Sequence, residues 1–253
     1  MSVRTEDRDG VLVITIDRPQ ARNAVNAEVA QGIAAAVRRL DSEGSLAVGV
    51  LTGAGGNFSA GMDLKAFLAG ESPSVPGNGF GGLTEATVRK PLVAAVDGWA
   101  LGGGFELALS CDLIVAAEDA RFGLPEVSRG LVAGAGGVIR LPQRLPHHLA
   151  MELLLTGDPL PAGRAAEFGL VNRIVPSGQS TVDAAIELAQ RVRRNAPLAL
   201  AAVKQIVRAS QGVDDATAFT AQRELTASLA SSEDVREGAR AFAEKRTPVW
   251  KGR

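Results

Sequence analysis

The residues best suited to chemistry are two glutamates in apolar settings, Glu106 between Phe105 and Leu107, and Glu126 between Pro125 and Val127. Two carboxylates sharing a dry pocket repel one another, which keeps one protonated near neutral pH and leaves the other ionised, an acid beside a base. An arbitrary pair of glutamates is an ordinary pair of surface groups, so the weight falls on their neighbours. Gly102, Gly103 and Gly104 interrupt the apolar run just before Glu106. Glycines let the backbone approach a ligand closely, and a helix starting there aims unpaired N–H groups and its positive end forward. A second segment of the same kind, Phe58-Ser59-Ala60-Gly61-Met62-Asp63-Leu64, follows a strand and a Gly-Ala-Gly-Gly turn. Two such turns can each donate one N–H to a single oxygen, which is an oxyanion hole. Tight packing is the plainer explanation of three glycines, and helix capping is the plainer role for Asp63.

These groups need elements to hold them. Asp9-Gly10 between two apolar runs predicts a hairpin opening the chain. Asn26 predicts the cap of a helix to about Leu40, with Val29, Ile33, Ala36, Val37 and Leu40 on one stripe. Strands are expected at Leu46–Leu51, at Leu92–Val96 and at Leu113–Ala116, with a helix from the glycines to about Ser110. Strands alternating with helices predict an α/β fold. Leu68 to Leu83, rich in Gly, Pro and Ser, reads as a mobile loop, either a plain connection or a lid. From Ser180 onward the pattern is helical, so the shift near Pro176–Ser180 divides residues 1–178 from 179–253.

Composition narrows the partners. In 253 residues, 46% are hydrophobic and 22% charged, with a formal net charge of −1, which is ordinary for a globular chain and offers no basic patch for nucleic acid or an anionic membrane. The helix from Asn26 to Leu40 carries only Arg38 and Arg39 as basic residues, too few for an RNA-binding face. A small molecule is the expected partner. The single cysteine, Cys111, reads as a small buried hydrophobe, and adjacent His147 and His148 lack the neighbours of a metal site. No leader-like N-terminus and no long apolar span are visible, so the expected location is cytoplasmic.

Taken together, the motifs resemble the crotonase superfamily, and specifically its enoyl-CoA hydratases. The likeness runs through DRPQARNAVN, NFSAGMDLK, GWALGGGFELALSCDLIVAAEDARFGLPEVSRGLVAGAGG, LLLTGDPLPAGRAAEFGLVNRIVP and EGARAFAEKR, in order and across nearly the whole chain. The resemblance implies a spiral of ββα units over residues 1–178, and a C-terminal helical region, 179–253, that builds a homotrimer or a dimer of trimers. It implies a lyase of fatty acid metabolism that adds water to a trans-2-enoyl-CoA to give a 3-hydroxyacyl-CoA. Carried over by position, the oxyanion-hole amides are those of Met62 and Gly103, and the catalytic pair is Glu106, holding the water, and Glu126, supplying the proton. Ala24, Ala60, Lys65 and Lys245 match positions that meet CoA. No metal or separate cofactor is implied, because CoA belongs to the substrate.

The chain departs from the family pattern in two places. Gln20 stands where several relatives have a lysine, with Arg22 nearby as a replacement. Ala133 and the Val138-Ile139 pair replace the proline and polar residues of the usual PGAGGTQRL, through altered helix packing or through a pocket reshaped for a longer, branched or ring-bearing acyl group. An isomerase or another enolate-stabilising enzyme on the same fold is the alternative reaction, and a non-catalytic acyl-CoA-binding protein is the alternative class. Both glutamates being present favours hydration.

Overall fold

A computed structural model describes residues 2–253. Along the chain run β1 (Val3–Arg8), β2 (Val11–Ile16), α1 (Ala27–Ser42), β3 (Val48–Gly53), α2 (Leu64–Leu68), β4 (Ser74–Val75), β5 (Gly79–Phe80), β6 (Leu92–Val96), β7 (Trp99–Leu101) and α3 (Gly103–Ser110). There follow β8 (Leu113–Ala117), β9 (Arg121–Gly123), α4 (Gly137–Arg144), α5 (His147–Thr156), β10 (Leu160–Pro161), α6 (Ala162–Glu167) and β11 (Arg173–Val175). Four further helices close the chain: α7 (Thr181–Arg193), α8 (Pro197–Ala209), α9 (Asp215–Ala230) and α10 (Glu233–Ala243).

The opening hairpin forms as its turn chemistry requires. Asp9 and Gly10 both take positive φ, and Arg8 pairs with Val11 across the turn. Asn26 caps α1 by accepting the Val29 N–H at 3.1 Å, and the apolar stripe from Val29 to Leu40 is buried. Strand β3 begins two residues later than expected and runs to Gly53.

Six strands make the main sheet, ordered β1-β2-β3-β6-β8-β11 and parallel from β2 onward. Its central strands are buried on both faces, which explains runs such as Leu92–Val96 with no polar alternation. One face meets α1 and α3; the other is covered by α7, whose Ala185 and Ala189 pack on Val13, Val50, Val93 and Val115. Helix α7 therefore completes the core, although it follows the boundary expected at 178/179. Helices α8 to α10 leave Val203, Val207, Phe219 and Phe242 exposed.

A second sheet, β10-β9-β7, was not legible in the sequence because its strands are only two or three residues long. An isolated bridge from Ser59 to Ala100 extends it by one rung, so Ser59, Ala100, Phe122 and Leu160 lie side by side. The chain repeats one pattern: a strand in the main sheet, a short extended segment in the small one, then a helical turn. That happens at β3, Ser59 and α2, at β6, β7 and α3, and at β8, β9 and a 3-10 turn at Pro125–Arg129.

The stretch from Leu68 to Leu83 is no loose loop throughout. It holds the β4–β5 hairpin, and Phe80, Gly81, Gly82 and Leu83 are buried. Gly81 lies against Leu107 and Gly82 against the Ala30 carbonyl. Glycine and proline counts suggested mobility, whereas here the small residues permit close packing under the site.

Candidate active site

The row of rungs in the small sheet assembles the site. Met62 lies three residues beyond Ser59, Gly103 three beyond Ala100 and Glu126 four beyond Phe122, so one register brings all three segments to the same edge. The Leu101 N–H donates to the Ser59 carbonyl at 2.9 Å, and the Gly102 N–H donates to the Gly123 carbonyl at 2.8 Å. Phe105 and Phe122, with ring centroids 5.1 Å apart, pin α3 to β9 from below.

Each of the three glycines answers a different demand. Gly102 has φ +53°, and a Cβ there would come within 2.9 Å of Glu126 Oε1. A Cβ on Gly103 would collide with the Phe80 ring, and one on Gly104 with the Ser59 carbonyl oxygen. Tight packing and close approach to a reacting group thus coexist in one tripeptide.

The amides on either side of Met62 are committed. Ala60, Gly61 and Asp63 donate to the Arg22 carbonyl at 2.9 Å, Ser59 Oγ at 3.2 Å and the Val25 carbonyl at 2.9 Å, whereas no acceptor among the described residues takes the Met62 N–H. Gly103 opens α3, so its N–H has no intrahelical partner. A Cβ on Gly61 would lie 3.0 Å from the Gly103 nitrogen, which shows how closely the two segments approach.

Glu106, one turn into α3, is buried, and its Oε1 accepts the Ala135 and Gly137 N–H groups at 2.7 and 2.8 Å. Burial pushes its carboxyl above the usual range, while the two amides and Arg140 pull the other way. Glu126 stands on the 3-10 turn after β9, and its Oε2 is buried without a hydrogen-bond partner. Burial raises this carboxyl too; its own backbone N–H and Arg129 oppose the rise, and the charge of Glu106 adds to it. The charge of Glu106 thus reaches Glu126.

The expected CoA contacts spread out from this centre. Ala24 offers its carbonyl to Arg18 Nη1 at 2.6 Å, Lys65 is exposed at the start of α2, and Lys245 is exposed beyond α10. Asp63 is the cap of α2, accepting from the Lys65 and Ala66 N–H groups and pairing with Arg18 at 2.9 Å. Although burial opposes ionisation, the Ala66 amide and Arg18 hold Asp63 below the usual carboxylate range. Val138 and Ile139 are exposed on α4, so the altered pair does not repack the core within one chain. Arg18 and Asn23 were missed as site-building residues. Buried Asn23 donates to the Ala54 and Asn57 carbonyls and receives the Ser59 hydroxyl on its own carbonyl, locking the turn that feeds Met62. Its signal was a polar residue inside the quoted DRPQARNAVN stretch.

Cys111 is buried, and burial pushes its thiol up to about 12. Among the described residues no three His, Cys, Asp or Glu side chains cluster as a metal site, and no helix is long and apolar enough to cross a membrane. A cleft of about 990 Å³ between the Asp7–Gly10 turn and α7 is lined by neither Glu106 nor Glu126.

Residues 6–253 match the Enoyl-CoA hydratase/isomerase family. The chain belongs to that family. It is 46% identical over 252 residues to a carnitinyl-CoA dehydratase of Citrobacter koseri, covering 96% of this chain and 95% of the relative. The structure of an enoyl-CoA hydratase from Mycobacterium tuberculosis H37Rv superposes with a TM-score of 0.96 at 54% identity, over 100% of this chain and 99% of that one. A carnitinyl-CoA hydratase from Mycobacterium avium superposes at 0.80 with 47% identity, over 100% and 99%. The architecture is thus the crotonase fold, and the strand–strand–helix repeat described above is its recurring unit.

Proposed function

We propose that this enoyl-CoA hydratase/isomerase family member adds water across the C2–C3 double bond of a trans-2-enoyl-CoA, and eliminates it in the reverse direction. The carrying observation is the unequal treatment of two neighbouring carboxylates: Glu106 Oε1 is held by two N–H donors, whereas Glu126 Oε2 is buried without one. Donors favour the ionised form and an apolar, like-charged setting favours the protonated form, so Glu106 is the base and Glu126 the acid.

In this reading the thioester oxygen sits between the Met62 and Gly103 N–H groups. Glu106 takes a proton from water as its oxygen bonds to C3, negative charge grows on the thioester oxygen, and Glu126 delivers its proton to C2. The protons re-equilibrate with solvent before the next turnover. Each oxyanion donor is worth roughly 3–4 kcal/mol of barrier. CoA enters and leaves as part of the substrate, with Ala24, Ala60, Lys65 and Lys245 as its contacts, and no other cofactor takes part. The exposed apolar residues of α8 to α10 support assembly into a homotrimer or a dimer of trimers.

The names of the 46–47% identical relatives make a carnitinyl-CoA type of substrate the second reading. The test follows loss of the enoyl-thioester absorbance with crotonyl-CoA and a bulky enoyl-CoA, and its gain with carnitinyl-CoA. A Glu106→Gln, Glu126→Gln double variant serves as control. Rapid change that the double variant lacks supports the reaction, and the preferred substrate defines the acyl group. No change with any of the three, despite measurable binding, overturns it.

A further inference from the structure

The Glu106-holding loop is itself held by a side chain to which neither the catalytic pair nor the oxyanion hole assigns a part. Arg140, half-buried on α4, donates from Nη1 to the Ala135 carbonyl at 3.1 Å and from Nη2 to the Thr84 carbonyl. The first contact grips the same residue whose N–H donates to Glu106. The second reaches the Gly79–Thr84 segment, where Phe80 lies against Gly103. Gly136, between the two amides that hold Glu106, has φ +102°, and a Cβ there would collide with Arg140 Nη1.

We infer that Arg140 is a positioning residue that locks the Ala135–Gly137 loop onto Glu106 and ties it to the segment packed on Gly103. The inference rests on the hydration reading for its kinetic consequence, but its geometric content does not. One planar guanidinium spans two carbonyls from two loops, which a single-point ammonium does not reproduce. A loop free to shift by an ångström would loosen the base relative to the oxyanion hole, and displacements of that size lower rates by up to about a hundredfold.

Charge follows the same path. Arg140 acts on Glu106, whose charge in turn bears on Glu126, while Arg208 of α8, Glu106 and Glu85 act on Arg140, and Arg140 acts on Arg144 of α4. Removing the cation leaves burial of Glu106 opposed only by the Ala135 and Gly137 amides, so its proton affinity rises.

The test compares Arg140→Met and Arg140→Lys with the wild type by thermal melting, by ¹³C titration of the Glu106 carboxyl, and by the pH profile of kcat/KM. Glu106→Gln assigns the resonance. Arg140→Met is expected to titrate Glu106 at higher pH, to move the acid limb of activity the same way, and to lower kcat about tenfold or more with KM little changed. Arg140→Lys is expected to return the titration towards the wild-type value while kcat stays depressed. A folded Arg140→Met with an unchanged titration and kcat overturns the inference. Should that variant not fold, wild-type kcat in Arg140→Lys overturns it instead. If the wild type hydrates nothing, the hydration reading falls, and the titrations of both variants still decide the role of Arg140.

Discussion

The charge of Glu106 bears on Glu126, yet the two carboxylates are held differently: Glu106 Oε1 accepts the Ala135 and Gly137 N–H groups, whereas Glu126 Oε2 is buried without a hydrogen-bond partner. Both carboxyls are displaced above the usual range by burial, Glu126 with the additional push of Glu106. Hydration needs Glu106 ionised and Glu126 protonated, so kcat/KM should follow a bell in pH. Its acid side falls as Glu106 takes up a proton and its alkaline side as Glu126 loses one. Glu106→Gln should remove the acid side, Glu126→Gln the alkaline side, and each should lower turnover by roughly a hundredfold or more. Initial rates from pH 4 to 10 check this.

The same shift has a consequence for stability. A carboxyl whose folded value lies above its unfolded value binds its proton more tightly when folded. The stability it contributes is full below the unfolded value and is lost as pH rises through the folded one. Glu126→Gln removes that loss, so the variant should melt above the wild type at pH 8, with the gap closing towards pH 4. Melting curves at both pH values provide the measurement, and an equal difference at each would count against the raised carboxyl.

Gly104→Ala tests the close approach of the segments that carry Ser59 and Gly103. The added Cβ would meet the Ser59 carbonyl oxygen, which is fixed by the Leu101 N–H and cannot step aside cheaply. Overpacking of this kind costs about 1–3 kcal/mol, to be read from the urea midpoint. Gly103→Ala meets the Phe80 ring instead, so Phe80→Ala should restore part of its stability, while Phe80→Ala does nothing for Gly104→Ala.

Arg18→Met should separate binding from chemistry. It leaves Asp63 without its partner in a largely buried pair, and the Ala24 carbonyl without a donor. A loss of about 1–3 kcal/mol is expected for a pair that keeps some solvent contact. Because neither glutamate is touched, KM for the acyl-CoA should rise while kcat changes little. Steady-state kinetics on the folded variant decide it.

Local chemistry was legible where a short segment determines its own conformation. The Asp9-Gly10 turn, the Asn26 cap with its apolar stripe, the Leu92–Val96 strand and the helix ending at Ser110 all form as their residues dictate. The capping role of Asp63 and the burial of Cys111 belong with them. The order of motifs likewise carried the family, because many residue types in sequence identify a fold that no single glycine run would.

Tertiary structure alone decided how the segments meet. Strands of two or three residues carry no periodic signal, so the small sheet that aligns Ser59, Ala100 and Phe122 had no local signature. Its register is what places the Met62 and Gly103 amides and Glu126 together. The Gly- and Pro-rich stretch after Leu68 read as mobile because composition reports what a backbone can do, not what packs on it. In the fold it carries Phe80 to Gly103 and offers Thr84 to Arg140. Residue types thus determined which groups could act, and long-range pairing, with separations no local window spans, determined which of them share a site.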